Sequence, residues 1–281
     1  MSFPYVVGLA YGRDKKFTST KYHPLGTKGE TPDGRVFYYA QAGSPALVGG
    51  TIIQSKAAEG SDAAAKTNLL PAVSGDKTAI GTGSNIPTGS ASIGVVWVTA
   101  HASGEYTDGY MTVDTPAGSG MYRIVGDDAT GSSNTVTVIR LHPQDTIQDT
   151  ALTTASRLSF HHNPYASVIV APTTLTNVVV GVAPVAVTAA NYFWLQTYGP
   201  ASVRYNDLIS AVVGETLMAG VGATAGDAVG VPKSTNTESS VDAGATVSGQ
   251  QLTNAAPRIG TVLDGIPADD KLLQVMLTIR A

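Results

Sequence analysis

The chain has no cysteine among its 281 residues. Disulfides and thiolate metal sites are therefore excluded, and any resistance to harsh surroundings must come from packing and assembly. Charge is also scarce. Asp, Glu, Lys and Arg make up 14% of the chain, against about a quarter in ordinary soluble domains. A surface poor in Lys and Glu loses little side-chain entropy when it is covered, which suits a protein hemmed in by neighbours. Long hydrophobic runs are missing too. The longest, Val178–Val187, is far shorter than a membrane span and contains Pro184, so no membrane partner is expected. The opening MSFPYVVGLAYGRDKK sets its basic residues after the apolar stretch, the reverse of a secretory signal. The expectation is a mature chain that starts at its first residues and is made in a cytoplasm. A formal charge of −4 and a pI near 5.7 argue against nucleic acid as the main partner, because phosphate neutralisation needs clustered Lys and Arg. The densest basic patch is Arg13–Lys21, with Lys28 and Arg35 nearby. It reads either as a solvated arm or as a contact to an acidic protein surface.

What the chain does have is glycine, alanine, serine, threonine and valine. Small and β-branched residues favour many short strands joined by turns over long helices. Two segments also echo one another: an aromatic cluster (Phe37, Tyr38, Tyr39; Tyr192, Phe193, Trp194), then Gln41 or Gln196, then Gly and Pro-Ala at Gly43, Pro45 and Ala46 or at Gly199, Pro200 and Ala201. Each reads as a strand running into a turn, either one duplicated plan or two ordinary strand–turn units. The expected fold class is all-β, built of several short-stranded sandwich or barrel units with an extended N-terminal arm and little helix.

The expected organisation is an arm over 1–34, a first β unit with a short helix and linker over 35–90, a second over 91–171 and a third over 172–281. Candidate strands are Val36–Gln41, Thr51–Gln54, Ile93–Ala100, Gly109–Thr115, Met121–Val125, Thr135–Leu141, Arg157–Phe160, Ala166–Val170, Tyr192–Thr197 and Leu272–Arg280. A short helix is expected over Ser61–Leu70, capped by Ser61 or Asp62 and ended by Pro71. One helical turn fits His142–Thr154. Gly214–Gly226 and Ser234–Gln250 read as loops that are mobile or ordered by neighbours.

Motifs for chemistry fail on their own terms. Gly220, Gly222 and Gly226 imitate a dinucleotide loop, but Gly230 and Pro232 follow too soon for the helix such a loop must open. Around Ser74-Gly75-Asp76-Lys77-Thr78 the earlier glycine of a phosphate loop is missing, since Leu70 stands there. Adjacent His161 and His162 would face opposite sides of a strand. Asp127-Asp128 and Asp269-Asp270 sit in turn-like contexts that capping explains. Glu105 and Asp108 would make a glycosidase pair only by coincidence of folding, and no nucleophile elbow occurs. No catalytic, cofactor-binding or metal-binding residue is assigned, and the chain is read as no enzyme.

The aromatics carry the remaining functional interest. Period two puts Tyr192 and Trp194 on one face of their strand and Phe193 on the other. The residues assigned to a partner interface are Phe3, Tyr5, Tyr11, Phe17 and Tyr22 of the arm, with Tyr192, Trp194 and Tyr198.

Four stretches, LGTKGETPDGRVFYYAQAGSPALVGGTII, DGYMTVDTPAGSGMYRI, LSFHHNPY and VGVAPVAVTAANYFWLQTYGPASV, resemble head-associated proteins of tailed bacteriophages, in particular the decoration or cement proteins that coat the assembled capsid. The resemblance implies a β-rich virion protein without enzymatic activity, made in the host cytoplasm. It further implies binding to the major capsid protein at symmetry axes of the shell, as a homotrimer more often than a dimer. The alternative is a tail-fibre or receptor-binding β module that recognises cell-surface carbohydrate.

Overall fold

A computed structural model describes residues 6–56, 67–69, 86–97, 102–115, 120–129, 135–148, 150–152, 157–206, 211–220, 224–231, 257–264 and 271–279. They form an all-β protein, in which a single 3-10 turn at Arg13–Lys15 is the one helical element among the described residues. The chain divides into two compact units, one made of residues 1–57 with 164–281 and the other of 58–163.

The first unit opens with β1 (Val6–Gly8), β2 (Phe17–Thr18), β3 (Lys28–Glu30), β4 (Val36–Gln41) and β5 (Ile52–Gln54). The second holds β6 (Thr67–Leu69), β7 (Ser92–Trp97), β8 (Tyr110–Thr115), β9 (Met121–Asp127), β10 (Thr135–Leu141) and β11 (Arg157–His161). The chain then returns to the first unit with β12 (Ile169–Val170), β13 (Val179–Val182), β14 (Tyr192–Tyr205), β15 (Thr216–Ala219), β16 (Ala228–Gly230), β17 (Arg258–Asp264) and β18 (Lys271–Thr278). Gln54 pairs with Ile169 and Ile53 with Val170, so in chain order the second unit is an insertion between two paired strands of the first.

β14 is the axis of the first unit, and its burial explains why. From Phe193 to Thr197 every residue is buried, as in a strand covered on both faces, and beyond Tyr198 buried and exposed positions largely alternate. The C-terminal half belongs to a closed ring. β14 runs antiparallel to β18, β18 to β17, β17 to β15 and β15 to β16, and β16 returns to β14 in parallel at Tyr205 and Ala228. Closure removes the unpaired edges of a sheet. β18 supplies the clearest pattern: Leu273, Val275 and Leu277 point into the barrel core beside Val203, Tyr205, Leu217 and Ile259, while Leu272 and Gln274 stay outside. β17 crosses β18 so closely at Gly260 that a Cβ there would collide with the Met276 carbonyl oxygen. Gly260→Ala is expected to cost about 1–3 kcal/mol of stability, as overpacking against backbone does. Gly8→Ala, where nothing lies within 4 Å of the added carbon, should stay within about 0.5 kcal/mol of the parent. Urea midpoints of the two variants check the contrast, and equal midpoints would contradict the close crossing.

The N-terminal half of β14 pairs with β4, Trp194 opposite Tyr39 and Leu195 opposite Tyr38. The two aromatic segments that echo in sequence are thus antiparallel neighbours. A repeat is present in another register: β4, its turn and β5 match β13, its turn and β14. Leu47 and Val187 exchange hydrogen bonds of 2.8 and 3.0 Å. Gly50 donates to the Ala183 carbonyl at 2.7 Å as Ala190 donates to that of Ala42 at 3.0 Å. Each turn closes on a residue of positive φ, Gly50 at 79° and Ala190 at 62°. β5 then pairs with β13 as β14 pairs with β4. The two halves interleave about an approximate two-fold axis, and residues 35–54 and 179–205 share one sheet.

The N-terminal segment is extended and lies on its own fold. β1 pairs with β3, β3 with β4 and β2 with the start of β14, and Leu9 and Leu25 are buried. The expected helix Ser61–Leu70 falls mostly outside the described residues, and Thr67–Leu69 is strand β6. Residues 142–148 contain a turn, with the Asp145 backbone amide donating to the His142 carbonyl at 2.8 Å, within the stretch His142–Thr154 where one helical turn is expected; Pro143 favours the turn. Gly214–Gly226, expected as loop, contributes β15 through the short apolar run Leu217–Ala219. The second unit is a six-stranded sheet in the order β6-β11-β8-β9-β10-β7 with its own core, including Ile93, Met111, Ile124, Ile139 and Phe160.

Candidate functional site

The eight aromatics expected at an interface fall into three groups. Phe3 and Tyr5 lie outside the described residues. Trp194 is buried, only 7% exposed, its ring 5.1 Å from Tyr39 and 5.5 Å from His23, and Tyr192 stacks on Tyr39 at 5.9 Å. Phe193, on the opposite face, is buried as well, so both faces of this strand are covered. Tyr11, Phe17, Tyr22 and Tyr198 are exposed, Tyr11 at 64% and Tyr22 at 70%. Three of these four lie between residues 11 and 22, interleaved with exposed Arg13, Lys15, Lys16 and Lys21.

This ridge is fixed to the fold by one buried acid. Gly12, with φ of 84°, turns the chain so that Asp14 points inward, 1% exposed, while its neighbours point out. The Asp14 carboxylate accepts from the Gly12 amide at 3.0 Å and from Arg35 Nη1 at 2.9 Å. Arg35 also donates through Nε to Asp33 at 2.9 Å and lies 5.6 Å from the centre of the Phe37 ring. Burial alone would lower the Arg35 pKa, but its hydrogen bonds to Asp33 and Asp14, with the charges of those carboxylates, outweigh it and raise the value. The guanidinium is therefore a permanent cation clamping the base of the ridge. At the far end the Tyr22 amide donates to the Tyr39 hydroxyl at 3.1 Å, which fixes the chain as it enters the aromatic cluster. Asp14 and Arg35 were not singled out from sequence as anchors. The available signal was a lone acid enclosed by cations in Arg13–Lys16.

His23 packs against this cluster, edge-on to Tyr39 at 5.2 Å. Burial lowers its pKa below the ordinary 6.5, because a charged ring is poorly solvated there. The unfolded chain then binds the proton more readily than the folded one, so this site takes stability away as pH falls below 6.5. An NMR titration of the His23 ring should give a midpoint below 6.5; a midpoint at or above it contradicts the packing.

Elsewhere the polar side chains are arranged as structure. Asp127 accepts from the Tyr106 amide and the Thr107 hydroxyl, both at 3.2 Å, and Asp128 holds Arg140 through two bonds of 2.9 Å. His162 stacks on Tyr106 at 4.6 Å beside Glu105, and His161 meets Thr112. Asp108 pairs with Arg123 at 3.3 Å. Among the described residues no three His, Asp or Glu side chains gather as a metal site would require, and no helix is long and apolar enough to cross a membrane. Comparison with family models, curated proteins and solved structures finds no match.

Proposed function

We propose that this chain is a structural virion protein, a decoration or cement protein that binds the outer surface of a phage capsid and stabilises the shell. The observation that carries the reading is the exposed ridge of residues 11–22, where aromatic and basic side chains stand on a clamped backbone in an otherwise charge-poor protein. Tyr, Phe and Arg are side chains that protein interfaces favour, whereas Lys is depleted there, so the aromatic residues and Arg13 carry this argument. A backbone already held in place loses little entropy when a partner covers it. The resemblance of the four sequence stretches to head-associated phage proteins supports the same conclusion. In this role the chain assembles with itself, as a trimer in preference to a dimer, and with the major capsid protein. Moderate contacts repeated by symmetry then act together with high effective concentration.

Copy number tests the proposal. Gel densitometry of purified particles should show this band in an amount comparable to the major capsid protein. A handful of copies per particle defeats the reading and favours a tail-fibre or receptor-binding module.

A further inference from the structure

Beside the ridge lies a cleft of about 240 Å³, lined among others by Asp14, Lys15, Arg35, Gln196, Ser202 and Gln274. Of the charged groups in its wall, Arg35 and Asp14 are engaged with each other, and Arg35 with Asp33 as well, so the cation offered to a ligand is Lys15. We infer that residues 11–22 and this cleft form a docking surface for an acidic protein, with a carboxylate side chain of that protein seated in the cleft against Lys15. The inference rests on the structural-protein reading and specifies the partner's chemistry.

Charge complementarity selects the partner. Within residues 11–22 stand four cations and one carboxylate, while the whole chain carries −4. A surface of one sign on a chain of the other sign steers an opposite partner to that place and repels it elsewhere. Tyr11, Phe17 and Tyr22 supply apolar area between the cations, which a protein partner covers and a small free anion does not. A long polyphosphate would meet the negative remainder of the chain beyond the ridge, so an acidic protein fits better than a nucleic acid. Ser202 and Gln274 offer uncharged donors in the cleft for the second oxygen of a carboxylate, while the Gln196 amide is committed to the Tyr198 and Pro200 carbonyls.

The probe is fluorescein-labelled poly-L-glutamate, read by fluorescence anisotropy with the full chain at low and at physiological salt. The expected result is salt-sensitive binding that Lys15→Glu/Lys16→Glu weakens about tenfold or more, since attraction becomes repulsion at two sites. Arg140→Glu/Arg258→Glu changes the net charge equally and should leave binding within about twofold. Tyr11→Ser/Tyr22→Ser, which alters no charge, should weaken it by about threefold or more through lost contact area. Three results overturn the inference: no binding, equal loss in both charge-reversed variants, or tighter binding of an oligothymidylate than of polyglutamate. Particle copy number is measured separately. An inert ridge on an abundant protein would sink this inference alone, and a working ridge on a rare one would sink the decoration reading alone.

Discussion

Arg204→Ala is expected to cost about 3–5 kcal/mol of stability, as does breaking a buried ion pair from one side. Arg204 Nε lies 3.1 Å from the Asp227 carboxylate, whose side chain has 0% exposure while that of Arg204 has 27%. The two partners are therefore unequal. Removing Asp227 leaves an arginine that water still reaches, whereas removing Arg204 takes the cation from a carboxylate that water does not reach. Asp227→Ala should accordingly cost less. The location enlarges the effect. β16 meets β14 in parallel at a single register pair, Tyr205 with Ala228, with Asn206 donating to the Ala228 carbonyl at 2.9 Å. The ion pair sits on the residues just before these, where the ring of strands closes with the fewest ladder bonds. Replacing both partners, as Arg204→Met/Asp227→Leu, should recover most of the loss, because an apolar pair of similar volume has no charge to desolvate. Urea unfolding of the three variants decides the matter. Equal losses for the two single variants would mean that burial of Asp227 does not set the cost.

Phe160→Ala should remove about 3–5 kcal/mol from the second unit, the usual penalty for emptying a core aromatic site. Phe160 has 0% exposure and lies 5.8 Å from the Tyr106 ring within a cluster drawn wholly from residues 86–160. The cores of the first unit draw on residues 9–53 and 165–277. Hydrogen exchange should therefore quicken at Met111, Ile124 and Ile139 while Val203, Val275 and Leu277 keep their protection, as expected where each unit opens by itself. A uniform loss of protection across both sets would show that the units unfold as one.

Much of the strand content was legible because it depends on neighbours along the chain. Thr135–Leu141 was read from its alternation and is β10 with those bounds, and the closing strand was read the same way. β1, β2 and β3, of two or three residues each, are too short to show a period; β5 is as short but was legible, because Ile52 and Ile53 follow directly on the Gly49-Gly50 turn. β15 and β17 were missed for a related reason: glycine and threonine around Leu217 and Ile259 hide two buried positions inside a composition typical of loops. At the candidate interface the sequence marked Tyr11, Phe17 and Tyr22 as contact residues and the structure exposes them, but it marked Trp194 equally, and there a loop carrying His23 covers the ring. Composition alone does not separate an aromatic that meets solvent from one that meets its own chain.

The amino-acid sequence by itself determined that this protein is made of short strands and carries few charges, because backbone preference and burial on one face are settled by residues one or two apart. Tertiary structure decided the rest: that β4 lies against β14, that two halves interleave, and that Asp14 turns inward to clamp Arg35. Those outcomes join residues tens to more than a hundred positions apart, and no local period records which distant strand offers the deepest burial and the better-matched hydrogen bonds.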